Sequence, residues 1–370
     1  MRTTRHATNQ PTAWTTIETL DPAITPTVVS HGHTGRDFVG LDRFVQRTLY
    51  SAHLRHQVTI EEVCDRILTA RDRREQIEAI YGQGTNKHGL CAIPILGPHD
   101  RVHGIQYWFG PISEDPQPPH RAAGVVWDRP ASAVRMTVDC TRMAGIPDSY
   151  FTPEVTLASF WRNATRFDHH EAVLDLLYDT RRGTRLQSTG TVRHLERREM
   201  LWQASVRGRN DGETVGAWGL LEDLTSEYCP PPHPTLEQQG FRRFHRAAGI
   251  YLGVIHIPDG TVVAWLTDPP PWIAWNRSPN EIFPPVDRAR LAAATAPDEG
   301  VVRTLNRDNR YTPTRIMLSP FGDGLGQRLA IGQFLRVEGD TFRGRSMHAP
   351  IAEQRHCQSD IREANPNTGR

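Results

Sequence analysis

One stretch, residues 201–225, constrains the fold of this chain more than any other. It begins with alternating apolar and polar residues around Trp202, turns at residues 210–212, and returns from Val215 to the acidic ending at Thr225. The turn reads Asn-Asp-Gly, and tight hairpin turns need the positive φ that Asn and Gly accept. The stretch therefore predicts two antiparallel strands joined by a short turn.

Two other stretches of the chain close in a similar way. The predicted closing hairpins carry a glycine in their last strand, at Gly104, Gly216 and Gly332, which are 112 and 116 residues apart. Pro-rich breaks at residues 115–119 and 229–234 cannot continue a helix or a central strand. The repeat predicts an α+β chain of three tandem units, each a central antiparallel sheet flanked by helices.

The breaks set the boundaries of these units. We expect the first unit at residues 14–114, the middle unit at 120–228, and the third unit, with an N-terminal connecting helix, at 235–338. Polar composition predicts disordered tails at residues 1–13 and 346–370.

Helix signals in the first unit lie between its strand pairs. The spacing of apolar residues predicts helical structure over residues 41–49 and 59–81, with a break in the charged patch at residues 71–75. Thr59 and Glu62 form a capping box at the start of the second segment. In the third unit, the turn at residues 258–260 predicts another hairpin.

The closing hairpin of the middle unit resembles the last two strands of PAS domains, through Trp202, the Asp-Gly turn, Gly219 and the ending Asp-Leu-Thr. The chain as a whole resembles an actinobacterial family of tandem PAS-GAF-PAS proteins, mycobacterial-type conserved proteins of unknown function. The strand Val102-His-Gly-Ile-Gln106 carries that likeness most clearly. The resemblance implies sensing or protein interaction, with homodimers common. Whether the middle unit is PAS or GAF stays open.

Charge and cysteine usage exclude several classes of protein. A net charge of +1 argues against a dedicated nucleic-acid binder. No apolar run approaches the roughly 18 to 20 residues of a membrane span, and the polar N-terminus lacks a secretory signal. The five cysteines are scattered, which favours reduced thiols over disulfides or structural zinc. We expect a cytoplasmic protein.

Motifs for catalysis and metal binding are weak. The close histidine pairs lack the spacing of a zinc site, and there is no Gly-x-Ser-x-Gly nucleophile elbow. The basic and aromatic run at residues 241–246 is compatible with single-stranded nucleic acid, but its two Phe residues share one helix face, which favours an amphipathic connector. The sequence therefore predicts no catalytic residue and no metal ligand.

Aromatic residues in the helical inserts are the candidates for ligand binding. Such residues could line a pocket between the sheet and the helices, since small-molecule pockets are mostly apolar. Core packing explains the same residues, because large aromatics dominate buried cores. No motif points to a specific cofactor. The candidates are Tyr150, Phe160, Trp161, Trp265, Trp272 and Trp275.

The function expected from the sequence is non-enzymatic. The units would bind a small ligand, a partner protein, or both, as a sensory or regulatory protein. One alternative is a pure interaction scaffold with filled cores. The other is an enzyme that uses a histidine as acid or base, which would require a cleft where a histidine and a carboxylate converge.

Overall fold

The computed structural model describes residues 12–167, 169–178, 181, 183–196, 198–211, 215–225, 236–321 and 328–337. These residues form three antiparallel sheets flanked by helices, which confirms the predicted α+β class. The predicted tails lie outside the described residues, except for residues 12 and 13 at the end of the first.

The first unit is a six-stranded sheet with two helices on one face. Its strand order is β3-β2-β1-β6-β5-β4. The capping prediction is confirmed on the N-cap side, since the Glu62 backbone N–H donates to Thr59 Oγ1 at 3.1 Å. The elements are β1 Thr15–Glu18, β2 Thr27–His31, β3 Thr34–Gly40, α1 Leu41–Ser51, α2 Ile60–Arg73, β4 Ile77–Tyr81, β5 His88–Leu96 and β6 Val102–Pro111.

The prediction of helix up to residue 81 is wrong at its C-terminal end. Helix α2 stops at Arg73, and Arg74 follows with the left-handed φ of 59° that commonly terminates a helix. Ile77 and Tyr81 are then buried with Glu78 exposed between them, as β4 pairs with β5. The two isoleucines of this segment are three residues apart, which favours one face of a helix, whereas the strand puts them on opposite sides.

The middle unit is a seven-stranded sheet ordered β10-β11-β12-β13-β7-β8-β9. The pairing of the two predicted strands of residues 201–225 is confirmed, with Trp202 opposite Asp223 and Asn210 opposite Val215, while the predicted turn residue Gly212 lies outside the described residues. The elements are β7 Ala122–Asp128, β8 Ala133–Met136, α3 Val138–Met143, β9 Glu154–Thr156, α4 Leu157–Phe160, β10 Ala164–Phe167, α5 His170–Tyr178, β11 Arg185–Arg193, β12 Glu199–Asn210 and β13 Val215–Asp223.

The third unit follows a connecting helix and is a five-stranded sheet ordered β15-β14-β18-β17-β16. The predicted hairpin around residues 258–260 is confirmed by the pairing of β14 with β15. The elements are α6 Leu236–Ala247, β14 Tyr251–His256, β15 Thr261–Trp265, α7 Pro279–Ile282, α8 Pro285–Ala292, β16 Asp298–Leu305, β17 Tyr311–Pro320 and β18 Leu329–Arg336.

All three sheets place their last strand beside their first. The repeated glycines lie in those last strands, and Gly104 pairs with Glu18, Gly216 with Asp128, and Gly332 with Gly253. A Cβ on Gly104 would lie 2.8 Å from the Ile17 carbonyl oxygen and 2.7 Å from Leu220, a residue of the middle unit. The glycine there permits a close approach of two units.

Candidate ligand-binding cavity in the middle unit

The hairpin of β12 and β13 presents two different faces, because successive side chains of a strand point to opposite sides. Trp202, Ala204 and Val206 face the helices of the middle unit. The alternate residues of β12, such as Gln203 and Arg207, face the first unit. The alternation visible in the sequence therefore separates an interior side from a domain-contact side.

A cavity of about 320 Å³ lies on the interior side. Its floor is formed by strands of the middle sheet, and its other walls come from α3, α5 and the segment from Tyr150 to Ala164, which contains α4. The volume is at the lower end of the range for small-molecule sites. The middle unit thus has space between its sheet and its helices that its own side chains do not fill.

The cavity wall is apolar and uncharged. None of the described residues that line it is Asp, Glu, Lys, Arg or His. Burial raises the pKa of the Cys140 thiol to about 12, with a smaller contribution from Asp139, so this lining residue stays a neutral thiol. Thr141 Oγ1 donates to the Val138 carbonyl at 2.8 Å. The wall therefore offers mainly van der Waals contact to an occupant.

Half of the aromatic residues predicted from the sequence lie at this cavity. Tyr150, Phe160 and Trp161 line it, and Tyr150 is 75% exposed, which places it at the mouth. Sequence reasoning missed Trp127 and Trp202, which also line it. The alternating pattern of β12 would have assigned Trp202 to the interior side.

The other three candidates pack around the core of the third unit. Trp265, Trp272 and Trp275 surround the apolar cluster that contains Phe283 and Phe334. Trp272 Nε1 donates to Thr314 Oγ1 at 3.2 Å, which satisfies its polar atom. The structure therefore does not bring these three tryptophans to the cavity of the middle unit.

The third unit packs against the cavity wall from outside. Val254, Val263 and Leu329 of the third unit belong to the same buried apolar cluster as the residues around the cavity. Tyr178 of α5 stacks on His256 with ring centroids 3.9 Å apart. The guanidinium of Arg162 lies 4.5 Å from the centre of the Trp275 ring. The wall segment from α4 to Arg162 thus touches both the cavity and the third unit.

The opposite face of the middle sheet is closed by the sheet of the first unit through a buried ion pair and buried hydrogen bonds. Arg207 Nε and Nη2 donate to the Glu18 carboxylate at 3.0 and 2.6 Å, and both side chains are at most 3% exposed. Glu222, which is fully buried, accepts from Ser30 Oγ at 2.5 Å and from Gln203 Nε2 at 3.1 Å. These charged groups therefore have partners within the contact.

His103 of β6 lies at the same contact. Its ring stacks on Trp218 at 4.6 Å, and its Nδ1 donates to the Gly219 carbonyl at 2.9 Å. Its Nε2 is buried without a hydrogen-bond partner. Burial, which outweighs the hydrogen bond to Gly219, lowers the pKa of His103 to about 4. The imidazole is therefore neutral at physiological pH and packs as an aromatic ring.

A histidine and a carboxylate also meet between the middle and third units. His256 Nδ1 lies 2.8 Å from Asp259 Oδ2, although the two atoms lack the alignment of a hydrogen bond. His256 is 1% exposed under Tyr178, so its imidazole cannot reach a substrate in the present arrangement. This pair does not form the cleft that the enzyme alternative requires.

A second depression lies on the surface beside α3. It encloses about 520 Å³ and is lined in part by Arg121, Asp139, Arg142 and Asp148. Arg142 pairs with both carboxylates, at 3.1 Å to Asp139 and 2.6 Å to Asp148. The charges of this open groove are largely satisfied within it, so the enclosed cavity is the better candidate site.

Metal sites and membrane spans are not evident in the part of the chain that the structure describes. There, no group of three His, Cys, Asp or Glu side chains is placed to hold a metal ion. Cys64, Cys91 and Cys140 are free thiols, and the other two cysteines lie outside the described residues. Nor does any described helix combine the length and apolar character needed to cross a membrane.

Comparison with known proteins found one matching family model and a solved structure with a similar fold. Residues 13–120 match the family model Rv3651-like, N-terminal. The match covers the first unit. The whole fold is similar to the crystal structure of an uncharacterized protein from Mycobacterium tuberculosis, with a TM-score of 0.72, 17% identity, and coverage of 89% of this chain and 97% of that one.

Two sensory proteins are more distant structural neighbours. An RNA-binding light-oxygen-voltage receptor matches with a TM-score of 0.24 and 13% identity, over 58% of this chain and 95% of that one. A sensory box histidine kinase/response regulator from Burkholderia thailandensis matches with a TM-score of 0.23 and 13% identity, over 35% of this chain and 88% of that one. No match was found among curated proteins.

Proposed function

We propose that this chain is a non-enzymatic sensory or regulatory protein, in which the middle unit binds a small molecule and the third unit responds to its presence. The observation that carries the proposal is the apolar cavity of about 320 Å³ between the sheet and the helices of the middle unit. Proteins pack their interiors densely, so an unfilled apolar space of this size is a default candidate for a binding site.

The position of the cavity supports a regulatory role. Helix α4 and the residues after it form one wall of the cavity and also contact β15 of the third unit. An occupant that displaced this wall would change the packing of Val263 and the stack of Tyr178 on His256. A ligand shifts an equilibrium only through different contacts in two states, and this shared wall supplies such contacts.

The shared strand order of the three sheets and the likeness to tandem PAS-GAF-PAS proteins favour a sensory protein over a scaffold with filled cores. On this proposal the three units are PAS- or GAF-like modules, and a protein partner receives the signal. The three tryptophans of the third unit stay candidates for a second pocket there.

Native mass spectrometry of the full chain tests the proposal. We expect a small molecule to be retained by the purified protein, or an added apolar compound to bind with one-to-one stoichiometry. Ala204→Phe places a phenyl ring into the cavity from β12 and should abolish binding. Ala293→Phe is the matched control, because it adds the same ring at an exposed position of the third unit.

Three results would overturn the proposal. Absence of any retained or added compound would favour the scaffold. Binding that Ala204→Phe leaves intact would place the ligand elsewhere. A measured turnover that depends on a histidine would establish the enzyme alternative.

A further inference from the structure

We propose that the ligand of the middle cavity is an uncharged, largely apolar molecule about the size of two fused aromatic rings. This inference rests on the proposed function, because it names the class of ligand that the same cavity accepts. It follows from the charge and hydrogen-bonding capacity of the wall and from the volume of the cavity.

The wall gives no compensation for a charge. No described lining residue is ionisable except Cys140 and Tyr150, and Cys140 is held as a neutral thiol by its burial. Moving an unpaired ion from water into an apolar environment is strongly unfavourable. The lining residues at the exposed mouth, Tyr150, Thr152 and Asn163, carry no counter-charge for a ligand either.

Hydrogen-bonding groups deep in the wall are few, and several are already engaged, whereas Trp202 Nε1 is buried without a partner and is free to donate to one ligand acceptor. Thr141 donates to the Val138 carbonyl at 2.8 Å, and Trp127 Nε1 donates to the Leu177 carbonyl at 3.0 Å. Ser159 Oγ accepts from Thr156 Oγ1 at 3.0 Å. A ligand with many polar atoms would lose its hydrogen bonds to water without replacement. One polar group directed toward the mouth is compatible with the site.

Volume and wall shape limit the size and form of the ligand. A dry apolar cavity of roughly 150 Å³ binds benzene. The present cavity, at about 320 Å³, is approximately twice as large and so matches a bicyclic molecule. Its wall includes the flat side chains of Trp127, Phe160, Trp161 and Trp202, and aromatic rings pack favourably against one another.

A matched series of probes tests this inference by isothermal titration calorimetry on the full chain. The probes are 2-ethylnaphthalene and 2-acetonaphthone, both uncharged, with 2-naphthoate as the anion and 2-naphthylmethylammonium as the cation. We expect the two neutral probes to bind and each ion to bind at least about 100-fold more weakly, because desolvation penalises the ions. Ala204→Phe should remove the binding and Ala293→Phe should not.

The possible failures are distinguishable. If a charged probe binds as tightly as the neutral ones, and Ala204→Phe abolishes its binding, the cavity binds ligands but the inference about charge is wrong. Benzene serves as a smaller neutral probe in the same titration, and if it binds as tightly as 2-ethylnaphthalene, the inference about size is wrong. If none of the probes binds and no molecule is retained by the purified chain, the proposed function fails, and this inference with it.

Discussion

The two faces of the middle sheet are built from neighbouring residues of the same strands, yet they differ in polarity and in how completely they are packed. Toward the first unit, β12 and β13 present charged and polar side chains whose partners fill the contact. Toward the helices, they present apolar side chains that leave about 320 Å³ unfilled. A charge must be matched atom by atom, whereas an apolar wall can accept a molecule that is not part of the chain.

Because of this difference in packing, we expect one face to hold the sheet in place and the other to respond to a ligand. The buried Arg207–Glu18 ion pair tolerates little movement, since an unpaired buried charge is costly. The first unit therefore fixes the position of the sheet, and the cavity side has freedom to respond. The following predictions test this division, beginning with the largest expected effect.

Loss of one buried charge partner should have the largest effect. Arg207→Ala leaves the carboxylate of Glu18 buried without its cation, and we expect the free energy of unfolding to fall by about 3–5 kcal/mol. Arg315→Ala removes an exposed pair with Glu299 in the third sheet and should cost less than about 1 kcal/mol. Urea denaturation measures both. Equal effects would contradict the special role of the buried pair.

Substitution of two adjacent leucines on β13 allows a direct comparison of the two faces. Leu220 is fully buried against the first unit, while Leu221 lines the cavity. Leu220→Ala opens a new void in a filled contact and should cost about 4 kcal/mol, whereas Leu221→Ala enlarges an existing space and should cost about 2 kcal/mol. The order of the two denaturation midpoints is the readout. A reversed order would mean that the cavity side carries the tighter packing.

His103 should make the filled contact sensitive to acid. Its pKa is about 4 in the folded chain against an ordinary value of 6.5, so it stays neutral until the pH falls near 4. Stability that is present above pH 6.5 should therefore be lost progressively as the pH falls toward 4, by at most about 3 kcal/mol. Unfolding measured between pH 7 and pH 4.5 should show a smaller slope in His103→Gln. An unchanged slope would exclude His103 as the source.

The smallest expected loss of stability comes from replacing one serine on each side of the sheet. Ser30→Ala removes a donor to the buried carboxylate of Glu222, and we expect a loss of about 2 kcal/mol, because hydrogen bonds to charged groups are the stronger ones. Ser159→Ala removes a hydroxyl at the cavity wall that accepts from Thr156, a neutral hydrogen bond worth about 1 kcal/mol or less. Thermal unfolding resolves the pair. A larger cost at Ser159 would contradict the assignment of the stronger polar contacts to the first-unit side.

The parts of the fold that depend on residues close together in sequence could be predicted. The hairpins around residues 210–212 and 258–260 follow from turn residues, and the α+β class follows from their repetition. The strand β4 was misread as helix, because Ile77 and Ile80 are three residues apart, as on one face of a helix, and the left-handed Arg74 has no signature in the sequence. In β4 the two isoleucines lie on opposite sides, and Ile80 is 68% exposed.

Only some of the residues that line the cavity could be predicted from the sequence. Tyr150, Phe160 and Trp161 could be proposed from composition, but the same reasoning selected Trp272, which packs against the core of the third unit. Whether an aromatic residue fills a core or borders a space depends on the residues across from it, and those come from distant parts of the chain. The partners of Glu18 and Glu222 lie 189 and 192 residues away in sequence, beyond any local pattern.

The position of the middle unit has a consequence for how such a chain can evolve. Arg207 commits one face to the first unit, and the core around Leu177 takes Val254 and Val263 from the third. A module with both faces committed cannot be shuffled singly into other proteins, so the three units should be inherited as one block. The Mycobacterium tuberculosis structure has a similar fold over 89% of this chain and 97% of that one, so the arrangement of all three units occurs in a second protein.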